Sequence, residues 1–130
     1  MTTYKAIPIE GVTALNSHFG GVKWHGGSLS LDYSITDKPM IVRAMIKDCV
    51  IFRLLTDCSL PPEEVEDQHG LSRDHLAYAV RGAYFHSHHA ESVFDGNVGH
   101  YRFVTQMSVV DVLSRSRPVI RALGVLSYED

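Results

Sequence analysis

Residues 28–35 read Ser28-Leu29-Ser30-Leu31-Asp32-Tyr33-Ser34-Ile35, four apolar side chains alternating strictly with four polar ones. Successive side chains of an extended chain point to opposite faces, so this is a half-buried strand with one dry and one wet face. Thr36-Asp37-Lys38-Pro39 follows with turn chemistry. Met40 to Lys47 then reads as a second strand, with Met40, Val42, Ala44 and Ile46 on one face. Lys47-Asp48 turns the chain again, and Val50, Phe52 and Leu54 mark a third strand. Strands joined by such short links predict an antiparallel meander.

Toward the N-terminus, Tyr4 to Ile9 reads as extended, and Pro8 confines it to a sheet edge. Between them, Val12, Leu15 and Phe19 have helical spacing over 11–19, stopped by Gly20-Gly21. Toward the C-terminus, Ser59-Leu60-Pro61-Pro62-Glu63-Glu64 looks like a helix start that Gly70 would end. Ser72-Arg73-Asp74-His75 offers a second start or a lead into the next strand. From Leu76 the chain reads extended through His86, His88 and His89 to Val93, turns at residues 95–99, and returns over His100 to Thr105. Ser108 to Asp111 fits a capping box, but its valines favour a strand after a turn at Gln106-Met107. Pro118 should break regular structure before the apolar tail. The expected fold is α+β, mainly antiparallel sheet of about six or seven strands with one or two short helices. Hairpins 29–46 and 84–105 are its best-defined units.

The 130 residues are 45% hydrophobic and 21% charged, which excludes a disordered chain and suits a single domain over 1–130. About two-thirds of the accessible surface of such a chain is buried on folding, enough for one core without staples. A formal charge of −3 with no basic run argues against nucleic acid as a partner. Eight histidines could carry that charge to +5 in acid, since 8 − 3 = 5. Cys49 and Cys58 flank an apolar run that, if extended, holds them about 20 Å apart, so two reduced thiols are expected. Met1 to Lys5 lacks the basic-then-apolar pattern of a signal peptide, and no segment is apolar enough to cross a bilayer. A cytoplasmic protein without a membrane contact is the expectation.

Chemistry-bearing clusters are few. On a strand, His86 and His88 would share a face in the His-x-His spacing of several metal sites, with His100 or Glu91 as a third ligand. Pairing Val93 with His100 buries fewer charges than the register slipped by one, but it separates those ligands. No G-x-S-x-G elbow orders a serine nucleophile, and Gly20-Gly21 and Gly26-Gly27 belong to no phosphate loop. The acidic run Glu63, Glu64, Glu66 and Asp67 reads either as a solvated helix face or as a docking patch for a basic protein. His89, Glu91 and His100 would extend such a patch on an exposed sheet face.

Trp24-His25-Gly26-Gly27 leading into the alternating strand, then Val50 to Leu55, then His100 to Thr105 and Val109 to Leu113 before Pro118, is similar to small bacterial β-rich proteins of the immunity type. The resemblance spans roughly residues 24–120, and its motifs are structural. It implies a non-catalytic protein-binding module that neutralises a cognate toxin by occlusion, needing no cofactor, as monomer or homodimer. The alternative is a metal-dependent enzyme built on His86 and His88.

Overall fold

The computed structural model describes residues 2–56, 71–93 and 98–124, with only the backbone at positions 84 and 90–93. The alternating stretch forms strand β3 (Ser28–Ile35), whose Leu29, Leu31, Tyr33 and Ile35 are all buried. It pairs with β4 (Met40–Ile46), Tyr33 opposite Val42 and Leu31 opposite Ala44. Asp37 takes a φ of 62° in the turn between them, a conformation an aspartate tolerates well. Hairpin 29–46 is therefore present. Flanking it are β2 (Ser17–His25) on β3 and β9 (Val119–Gly124) on β4, giving a four-stranded sheet in the order β2-β3-β4-β9.

The expected meander stops at two strands. Lys47 and Asp48, the latter at φ 54°, carry the chain out of the first sheet, and β5 (Cys49–Thr56) pairs with β8 (Ser108–Ser114) rather than β4. The second sheet adds β1 (Thr3–Ile7), β6 (Ala77–Arg81) and β7 (Gly99–Val104), in the order β1-β6-β7-β8-β5. Every pairing in both sheets is antiparallel. As expected, β1 lies at an edge and residues 108–111 are extended. The described residues hold nine strands, more than the six or seven expected, because residues 17–25 and 119–124 are also strands.

The two sheets pack face to face. Leu31, Tyr33, Val42 and Ala44 from one meet Ala77, Phe103, Val110 and Val112 from the other in a single core. The Tyr33 and Phe103 rings stack across it with centroids 6.2 Å apart. On the far side of the five-stranded sheet, Tyr78, Val80, His100, Arg102, Asp111 and Leu113 are buried as well. Strand β8 is thus covered on both faces.

Two expected elements are replaced. Residues 11–16 turn instead of forming a helix: the Thr13 amide donates to the Asn16 side-chain oxygen (2.8 Å), and the Asn16 amide donates to the Thr13 hydroxyl (3.1 Å). Such local side-chain bonds to the backbone compete with a helix. Residues 84–93, expected as a strand, form the helix α1 (Tyr84–Val93). Strand β6 ends at Arg81, Gly82 adopts φ 80°, and the Ser87 amide donates to the Ala83 carbonyl to start the helix. Hairpin 84–105 and a Val93–His100 pairing therefore do not exist. Likewise, Pro118 precedes a strand instead of ending regular structure, which suits a residue that lacks an N–H. The expected helix over 59–70, Cys58 and residues 94–97 lie outside the described residues.

Candidate functional site

The pairing registers place one line of side chains across the outer face of the five-stranded sheet: Ala6, Tyr78, Arg102, Asp111 and Arg53. The neighbouring line runs Tyr4, Val80, His100, Leu113 and Ile51. Asp111 therefore sits between two arginines, with His100 diagonal to it, the geometry in which cross-strand side chains touch. Its Oδ1 accepts from Arg102 Nε at 2.6 Å and pairs with His100 Nε2 at 2.7 Å, while Oδ2 accepts from Arg53 at 2.6 Å. Arg102 also donates to the Tyr4 hydroxyl. The first turn of α1 lies over this group: Arg53 stacks on the Phe85 ring at 4.4 Å, and Phe85 packs 5.5 Å from the His100 ring.

The electrostatics follow from burial and neighbours. Burial works to raise the Asp111 carboxyl, but the His100 hydrogen bond and the Arg102 charge outweigh it and hold the group well below the usual carboxylate range. Burial drives His100 below its ordinary value; Asp111 pulls it back only in part, and Arg102 and His86 push it further down. At neutral pH His100 is a neutral imidazole that donates from Nε2 to an ionised Asp111. Its Nδ1 is buried and has no hydrogen-bond partner among the described residues. With both ring nitrogens inside, this pair organises the sheet face rather than activating a nucleophile.

The residues singled out in the sequence are dispersed. Glu63, Glu64, Glu66 and Asp67 lie outside the described residues, and of Glu91 only the backbone in α1 is described. His100 is buried in the sheet, not on an exposed face. His89 packs against Phe85 and His88, with ring centroids 5.0 and 4.9 Å away. His86 and His88 sit two positions apart on a helix, so they project about 200° from one another instead of sharing a face. Among the described residues no group of three His, Cys, Asp or Glu side chains is placed to hold a metal ion.

Sequence reasoning missed Arg53, Arg102 and Asp111. A signal existed: Val109, Val110, Val112 and Leu113 are apolar on both faces of one strand, so any residue between them is buried, including Asp111.

A second feature lies at one side of the sandwich, where edge strands β2 and β5 meet. Trp24 stacks on Phe52 with centroids 5.3 Å apart. Val22 and Trp24 pair with core residues Leu31 and Leu29, and Phe52 and Leu54 pair with Val112 and Val110, so all four belong to the inner faces of their sheets. Yet Trp24 is 45%, Val22 37% and Leu54 37% exposed. The core runs out to solvent there.

The fold is an antiparallel two-sheet β-sandwich, with α1 over a buried aspartate–arginine–histidine cluster. The chain matches no protein-family model, no curated protein and no solved structure. No described helix is long and apolar enough to cross a membrane.

Proposed function

We propose that the protein is a non-catalytic binding module of the immunity type, which neutralises a cognate toxin by occlusion and docks through the open edge between β2 and β5. The observation that carries this reading is the exposure of Val22, Trp24 and Leu54 side by side on core-facing positions. Single exposed apolar residues are ordinary, but a contiguous patch at the mouth of a core is typical of an interaction surface. Tryptophan is also the residue most enriched where binding energy concentrates. In sequence, the acidic run starting at Glu63 follows Thr56, the last residue of β5, by seven positions, since 63 − 56 = 7. The partner that suits this combination is a basic protein presenting apolar side chains. The resemblance of residues 24–120 to immunity proteins supports the same reading.

Calorimetric titration with the purified product of the adjacent gene tests it. Trp24→Ser should weaken binding by about 2 kcal/mol or more, and a Glu63→Lys, Glu64→Lys, Glu66→Lys variant should associate more slowly with a flatter salt dependence. Unchanged binding by both variants, or no binding by the wild type, would overturn the proposal. So would sedimentation showing that the Trp24 edge is consumed in a homodimer.

A further inference from the structure

At the C-terminal end of β6 the chain passes from Arg81 through Gly82 into α1, beside a cleft of about 430 Å³. Arg81, Gly82, His86, Gly99, Tyr101 and Arg117 line it. Arg117 comes from the link between β8 and β9, and with Arg81 and Lys5 it also borders a neighbouring hollow. No Asp or Glu among the described residues lines either space. Neither Arg81 nor Arg117 has a carboxylate partner among the described residues. In a chain of net charge −3, this is a local concentration of positive charge.

The cleft holds further donors. A Cβ on Gly99 would lie 2.8 Å from the Tyr101 hydroxyl, so only glycine lets that ring lie where it does. The hydroxyl has no hydrogen bond to a described residue and is available to donate. The N-terminal turn of α1, which contains His86, has no acidic side chain, and its backbone N–H groups and dipole favour an anion. Buried His100 also borders the cleft, its ring 6.3 Å from that of His86.

We infer that this cleft binds the phosphate group of a small phosphomonoester, with Arg81 and Arg117 as its charge partners and Tyr101 and His86 as its hydrogen-bond donors. Arginine forks match phosphate oxygens geometrically. The volume falls in the range of about 300–1,000 Å³ found for small-molecule sites, which leaves room for a sugar-sized group beyond the phosphate. The site is distinct from the β2–β5 edge, and neither depends on the other.

The test uses inorganic phosphate and ribose 5-phosphate as probes at constant ionic strength, read by thermal midpoint and by histidine ring resonances. Both probes should bind saturably and shift the His86 resonances, ribose 5-phosphate more tightly. An Arg81→Gln, Arg117→Gln variant changes two exposed side chains, so it should keep the unliganded midpoint while losing about tenfold or more in affinity. Tyr101→Phe should lose about three- to tenfold. No saturable response from either probe, or an unaltered response in the double arginine variant, would overturn the site. Equal affinity for the two probes would overturn the sugar-sized ligand in favour of the bare anion.

Discussion

His100 and Asp111 meet diagonally across β7 and β8, Nε2 2.7 Å from Oδ1, with both side chains fully buried. Asp111 thereby ties three strands: β7 through His100 and Arg102, β5 through Arg53, and its own β8. A carboxylate inside a sheet is stable only while these donors surround it, and the donors are stable inside only while it is charged.

Removing that carboxylate should therefore be severe. Asp111→Ala takes from Arg53 and Arg102 the acceptor they share and should cost about 3–5 kcal/mol, a large part of the stability of a domain this size. Urea unfolding midpoints of the wild type, Asp111→Ala and Asp111→Asn would measure it. A loss below about 1 kcal/mol for the alanine variant would contradict a structural role for the cluster.

Stability should fall in acid in two windows. The folded His100 lies below its ordinary 6.5, so the unfolded chain binds the proton more readily, and its contribution is present above about pH 6.5 and lost as pH falls through the lower folded value. The groups acting on it are Asp111, Arg102 and His86, with Phe85 supplying the apolar cover. The folded Asp111 is also depressed, so its contribution is present above about pH 4 and lost as pH drops further toward its folded value. Unfolding free energy measured from about pH 7.5 to 3 should show both declines, and His100→Gln should remove the upper one.

The Tyr33 hydroxyl is buried in the core with no partner among the described residues, and burial pushes its ionisation far above the usual value. Tyr33→Phe deletes that unsatisfied group while keeping the ring on Phe103 and Phe19. It should be neutral or stabilise by about 1 kcal/mol, raising the thermal midpoint by several degrees. A clear destabilisation would show that the hydroxyl is bonded in solution.

Cys49 is buried at the start of β5, and burial pushes its thiol up to about 12. At pH 8 it should resist iodoacetamide in the folded protein and react readily in denaturant, with peptide mapping by mass spectrometry separating it from Cys58. Rapid labelling of Cys49 without denaturant would mean that the β4–β5 corner opens.

The strict alternation over 28–35 and the apolar face Met40, Val42, Ala44 and Ile46 were sufficient for hairpin 29–46, because such patterning and a four-residue turn are both local. The edge position of β1 was legible from Pro8, and the extended 108–111 segment from the strand preference of its valines. Residues 84–93 misled because their apolar spacing is weak, and Gly82 at φ 80° ends β6 where a continuous strand was expected. Strand β9 was hidden because its burial depends on pairing with β4, some 80 residues earlier in the chain.

Composition and local pattern by themselves determined that this chain builds antiparallel sheet around an apolar core. Only the tertiary structure decided which strand lies beside which: that β5 leaves β4 for β8, and so brings Arg53 to Asp111, 58 positions away. The same assembly set Arg81 and Arg117 on one cleft and left Trp24 at an open edge. Side-chain alternation records which face of a strand is dry, but no local term records the neighbour. That choice is made by the joint burial of two sheet faces and the pairing of charges that only the assembled sheet brings within reach.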